Sequence, residues 1–157
     1  MGAERKIVML VDDDAEFLAE LREALALSGY IPVPVDNPAD AVKTARRIRP
    51  DAILLDLKLG TENGYSVAGK IRKNPATARI PVILMSAYFR DPARKRAHTP
   101  ANIKLCLNKP FTQRDVILSI QTTLADKKKD ADSSLLKHLL LGPKQRRIRR
   151  CNAPAAI

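Results

Sequence analysis

Residues 7–14 read Ile-Val-Met-Leu-Val-Asp-Asp-Asp, five apolar side chains stopped by three carboxylates. A strand that is apolar at every position has no solvent face, so both faces need cover. Such runs belong to the middle of a parallel sheet with helices on either side. The pattern recurs downstream. Ala52–Leu55 ends in Asp56, Ile80–Met85 ends in Ser86, and Ile103–Leu107 stops just before Lys109-Pro110. A fifth run, Tyr30–Val35, carries Pro32 and Pro34, which cannot donate to a ladder and place it at a sheet edge. Helical spacing fills the gaps. Leu18, Leu21 and Leu25 share one face of Ala15–Leu27, and Gly29 stands where a C′ glycine would end that helix. Asn37-Pro38 supplies an N-cap and an N1 proline to a helix with Ala41, Val42, Ala45 and Ile48 buried, ended by Pro50. After a loop through Gly60 and Asn63-Gly64, a short helix to about Lys73 shows Val67, Ala68 and Ile71. The last, Thr112–Leu124, buries Val116, Ile117, Ile120 and Leu124. Between Tyr88 and Ala101 the alternation calls for a helix, yet the segment has almost no apolar stripe. One or two exposed basic turns, or a loop, are expected there. Five strands alternating with helices give an α/β fold with helices on both faces of a parallel sheet.

The chain has 157 residues, enough for one ordinary domain, with 45% apolar and 29% charged side chains. That apolar share excludes disorder throughout. Apolar stretches stay under ten residues, too short to span a membrane, and the polar start at Met1–Lys6 is not that of a secretory leader. Two cysteines, Cys106 and Cys151, are too few for a disulfide scaffold or a zinc cage, so a reducing, cytoplasmic compartment is the default. No nucleotide-binding glycine loop, zinc-protease motif or serine-hydrolase elbow occurs. The net charge of +11 is uneven. Residues 1–125 hold 19 basic and 14 acidic side chains, a net of +5, and residues 126–157 hold 9 and 3, a net of +6. Apolar periodicity also stops at Asp126–Asp130, so 1–125 reads as the folded domain and 126–157 as a basic extension, partly helical or disordered.

Open parallel sheets bind ligands beyond the carboxyl ends of their strands. Here those ends carry Asp12-Asp13, Asp56 and Ser86, and Lys109 follows the last strand. Crowded carboxylates raise one another's pKa unless a cation intervenes, and hard oxygen donors at a small open site suit Mg²⁺. An amine and a hydroxyl beside it would complete a phosphoryl cradle, and a carboxylate can itself accept the phosphoryl group.

Val11-Asp12-Asp13, Leu54-Leu55-Asp56, Gly64 eight positions beyond Asp56, Ser86-Ala87 and Lys109-Pro110-Phe111 occur in order at characteristic spacing. With them, residues 5–125 resemble the receiver domain of bacterial two-component response regulators, of the single-domain, chemotaxis-receiver-like type. The resemblance implies a flavodoxin-like, doubly wound, five-stranded parallel sheet in the order 2-1-3-4-5. It implies that a histidine kinase or phosphotransfer protein phosphorylates Asp56, which modulates binding to a downstream protein. Asp13 and Asp56 would then ligate Mg²⁺ directly, Asp12 through water, and Lys58 by its backbone carbonyl. Ser86 and Lys109 would contact phosphoryl oxygens, across a cis Lys109-Pro110 bond. Such a protein catalyses only its own phosphorylation and dephosphorylation and is not otherwise an enzyme. The sequence departs from the family at Cys106, where an aromatic residue is usual three positions before the lysine, and at Gly60, usually proline.

Other readings stand beside these. Acidic triplets also cap helices, and Asp14 suits that role alone. His98 and His138 read as surface residues with no metal spacing. Leu135–Leu141 fits a short amphipathic helix, and Lys144, Arg146, Arg147, Arg149 and Arg150 form a tract that either attracts polyanions weakly or is simply solvated. The expected function is a phospho-acceptor receiver. The alternatives are a phosphorylation-independent interaction module on the same fold, or a small Mg²⁺-dependent phosphohydrolase with an aspartyl nucleophile. Lys58, where such hydrolases often carry a second acid, weighs against the last.

Overall fold

The computed structural model describes residues 2–87, 99–128 and 148–150. Strands β1 (Ile7–Val11), β2 (Ile31–Val35), β3 (Ala52–Asp56), β6 (Val82–Ser86) and β7 (Ile103–Asn108) form a parallel sheet in the order β2-β1-β3-β6-β7. This is the 2-1-3-4-5 order of the flavodoxin-like fold. The helices are α1 (Ala15–Leu27), α2 (Ala41–Ile48), α3 (Gly64–Lys73) and α4 (Gln113–Lys128).

Burial explains the uninterrupted apolar strands. Period-two alternation sends Met9, Val11, Ile53, Leu55, Val82 and Leu84 into one core with Ala45, Val67, Ala68 and Ile71 of α2 and α3. Val8, Leu10, Leu54, Ile83 and Met85 enter a second core with Leu18, Leu21 and Leu25 of α1 and Val116 and Ile120 of α4. A register shift between Val82 and Ile83 lets Lys104 stand exposed while Ile103 and Leu105 enter opposite cores. At β2 the amide of Ile31 donates inward to Lys6 O, so Pro32 and Pro34 fall on the alternate positions where no amide is needed.

Local chemistry sets the helix ends. Asp14 accepts from the amides of Glu16 and Phe17, each at 3.1 Å, and so caps α1. Asn37 caps a single 3₁₀ turn, Pro38–Asp40, which precedes α2 rather than belonging to it. Arg49, at φ 45°, rather than Pro50, turns the chain out of α2. Thr112 and Asp115 exchange side-chain-to-amide bonds of 2.8 and 3.2 Å, a capping box for α4. That helix runs past Leu124 to Lys128, and Lys127 in its last turn suits the negative end of the helix dipole.

Two elements carry no periodic signal. A hairpin of β4 (Lys58–Leu59) and β5 (Glu62–Asn63) turns through Gly60 at φ 63°, where a plain loop is expected from the sequence. Strand β8 (Ile148–Arg150) pairs antiparallel with β7 and adds a sixth strand to the five-stranded parallel core. Tyr88–His98, with Arg90, Arg94, Lys95 and Arg96, lies outside the described residues, as do the Leu135–Leu141 helix, the first half of the basic tract and His138.

Gly64 is needed for close approach rather than for a turn. A Cβ there would stand 2.6 Å from the backbone oxygen of Asp56, 2.8 Å from Leu84 Cδ1 and 2.9 Å from Leu57 Cα. The amide of Gly64 donates to Leu57 O at 2.7 Å, which holds α3 against the end of β3. Gly64→Ala is expected to cost about 1–3 kcal/mol, the usual range for overpacking. Denaturant unfolding measures this, and an unchanged midpoint would show that the helix yields freely.

Candidate functional site

The parallel sheet collects its polar residues on one rim because each core strand ends on the same side. Asp12, the residue after β1, is 2% exposed; Asp56, the last of β3, is 6% exposed. Asp13 is exposed, and its Oδ2 lies 3.6 Å from the position a Cβ on Gly60 would take, so it leans over the β4–β5 turn. One carboxylate oxygen from each of Asp12, Asp13 and Asp56 falls within 4.8 Å of the others.

Lys109 is held among them. Its amide donates to Ser86 O at 2.8 Å, and the cis Lys109-Pro110 peptide turns the chain after β7. Its Nζ donates to Asp56 Oδ1 at 3.1 Å and lies 3.8 Å from Asp12 Oδ2. The same ammonium sits 4.8 Å from the ring centre of Phe17. Phe17 in turn packs against Phe111, with ring centres 5.9 Å apart and planes inclined at 60°. These rings, with Ala87, Lys109 and Pro110, line an open, mainly apolar cleft of about 470 Å³ beside the carboxylates. Ser86 is buried at the end of β6, next to β3 in the sheet. Lys58 stands exposed on β4, two residues past Asp56.

Burial dominates the electrostatics. It pushes the Asp12 carboxyl up from 3.8 to about 6, opposed by the bond from the Asp14 amide and by Lys109, and reinforced by Asp56 and Asp13. Burial also raises Asp56, while the hydrogen bond and charge of Lys109 pull it back and Asp13 pushes it further up. A single lysine thus leaves the carboxylates under-compensated. Asp12 Oδ2 is buried without a hydrogen-bond partner among the described residues. Hard oxygen donors, two of them nearly buried and one open to solvent, fit a small divalent cation with remaining waters.

This arrangement makes the metal-free protein sensitive to pH. Between 3.8 and about 6, folded Asp12 keeps a proton that the unfolded chain has released. The stability tied to that proton is complete below 3.8 and is lost as pH rises through about 6. The expected loss is on the order of 3 kcal/mol. Asp12→Asn should flatten the slope in thermal unfolding with a chelator present; an unchanged slope would assign the effect to another group.

The structure brings Asp12, Asp13, Asp56 and Lys109 together, with Ser86 on the adjoining strand end. Phe17 is absent from the residues singled out in the sequence. Its place in the first turn of α1, three residues past Asp14, was the available signal. Cys106 is 7% exposed and is disulfide-bonded.

Residues 8–121 match the family described as the response regulator receiver domain. Transcriptional regulatory protein PrrA of Mycobacterium tuberculosis is 33% identical over 127 residues, 81% of this chain and 53% of PrrA. The chain therefore spans about half the length of that relative. Polar-differentiation response regulator DivK of Brucella anthropi is 28% identical over 77% of this chain and 98% of DivK. The receiver domain of sensor histidine kinase PA1611 from Pseudomonas aeruginosa, solved with a magnesium ion coordinated in its active site cleft, superposes with a TM-score of 0.69. It is 27% identical and covers 78% of this chain and 99% of that one. Among the described residues no helix is long and apolar enough to cross a membrane.

Proposed function

This chain belongs to the response regulator receiver family, and from that premise we propose that it is a Mg²⁺-dependent phospho-acceptor. Asp56 takes a phosphoryl group from the phosphohistidine of a kinase or phosphotransfer protein. The observation that carries the reading is the Asp56 carboxylate, nearly buried at the end of β3 and 3.1 Å from the Lys109 ammonium, with Asp12 and Asp13 alongside.

A carboxylate oxygen of Asp56 forms the new O–P bond as the P–N bond breaks, and the imidazole leaves with the electron pair. Lys109 moves from the carboxylate to the incoming phosphoryl oxygens and offsets their charge. The Ser86 hydroxyl is offered to another of those oxygens. Asp12, Asp13 and Asp56, with the Lys58 carbonyl, would hold Mg²⁺, which supplies Lewis-acid neutralisation of the transferring group. Burial limits hydration of the nucleophile, and the Phe17–Phe111 pair fixes the position of Lys109.

Residues 1–125 carry the receiver unit and the basic extension starts at 126, with α4 running on to Lys128 and β8 of the extension joining the sheet. The chain works in the cytoplasm, meets a kinase or phosphotransfer partner, and passes its state to a downstream protein. It turns over only its own phosphoryl group. Incubation with a small acyl phosphate and Mg²⁺, read by intact mass, should add one phosphoryl unit that hydroxylamine removes. A chelator should prevent the gain. Phosphorylation of equal extent without any divalent cation would overturn the metal-dependent reading.

A further inference from the structure

The edge of β7 is closed by the chain itself. Leu107 lies opposite Ile148, Cys106 opposite Arg149 and Leu105 opposite Arg150. Ile148 is only 5% exposed and joins Leu105, Leu107, Val116 and Ile120 in the core shared by α1 and α4. Without β8, the β7 backbone would present unpaired donors and acceptors above a gap in that core, the usual hazard of a sheet edge.

A strand of three paired residues is weak by itself. Ile148 follows Lys128 by 20 positions in the sequence, and closing a separation of that length costs entropy. A covalent tie would change this, because it makes rebinding local. Cys106, in the middle of the paired stretch, is disulfide-bonded. The sequence holds one other cysteine, Cys151, two positions after the Arg149 that faces Cys106.

We propose that the β7 edge is a strand-addition site which the chain fills with its own Ile148–Arg150. A Cys106–Cys151 disulfide locks that strand in place. A dithiol reductant opens the lock: it gives two electrons and two protons, the Sγ–Sγ bond becomes two thiols, and the reductant leaves as its own disulfide. The freed strand departs, and the β7 edge and the Ile148 pocket open. The extension is then a redox-released cover over one edge of the sheet. The acceptor itself is remote from this edge, since Asp56 ends β3, two strands away, while Lys109 directly follows β7.

Hydrogen exchange read by mass spectrometry on the full-length chain tests this. The oxidised protein should be a monomer two hydrogens lighter than the reduced one, with slow exchange at Leu105–Leu107. A dithiol should speed exchange there at least tenfold and leave β1 and β3 unchanged. Cys151→Ser should show the fast pattern with or without reductant. It spares the core position Cys106, so a folding defect cannot mimic the result. Equal protection in oxidised and reduced protein, slow exchange in Cys151→Ser, or a disulfide between two chains would each overturn the proposal.

Discussion

Asp56→Asn is expected to take up no phosphoryl group from an acyl phosphate, under conditions where the wild type is fully modified. The amide is a poor nucleophile, and Asp12, the other carboxylate near Lys109, stands 3.8 Å from its ammonium rather than in hydrogen-bond contact. The loss should be complete rather than graded, because Asp12 is turned to the Asp14 amide and Asp13 stands in solvent. The fold should survive. The side-chain amide oxygen of the variant can still accept from Lys109, and the substitution removes a carboxylate whose ionisation burial opposes. The variant should therefore melt no lower than metal-free wild type. Uptake at the wild-type rate would remove Asp56 from its proposed role.

Mg²⁺ should give the second large effect, on stability. Ligand binding to the folded state alone contributes about 2.7 kcal/mol at a hundredfold excess over Kd. For a domain of this size that is a rise in Tm on the order of 10 °C. The gain has a physical source in the site: the cation replaces mutual repulsion among Asp12, Asp13 and Asp56 with ligation. Asp13→Asn should lose most of the Mg²⁺ response. Because Asp13 is exposed, its replacement disturbs no packing, and the metal-free variant should melt at or above wild type. A full Mg²⁺ response in that variant, or a lower metal-free Tm, would argue against a shared acidic pocket.

Much of this was legible in the chain because it rests on short-range rules. Ile7–Val11 announces a two-faced burial that only a central parallel strand meets, and the helix spacing of Leu18, Leu21 and Leu25 supplies the cover. Once the strands are parallel, Asp12, Asp56, Ser86 and Lys109 must share a rim. The cis peptide before Pro110, expected from the family resemblance, is present.

What was hidden depends on distant partners. The β4–β5 hairpin has two residues on each side, too few for any period. Ile148 is one apolar residue amid arginines, and only the β7 edge makes it a core residue. Asn102 and Thr77 look like surface residues, yet both are buried, donating to Ala68 O at 3.0 Å and Ile71 O at 2.7 Å. Phe17 drew no role from the sequence, because only the return of the chain at Lys109 sets a cation over its ring.

The location of the phosphoryl group decides the central claim. Phosphorylated protein is treated with borohydride, which reduces an aspartyl phosphate to homoserine, and is then digested and sequenced by mass spectrometry. The account predicts homoserine at position 56 alone, and none when Mg²⁺ is withheld. Homoserine at position 12 or 13, or phosphate retained on a serine, threonine or histidine elsewhere in the chain, would contradict it.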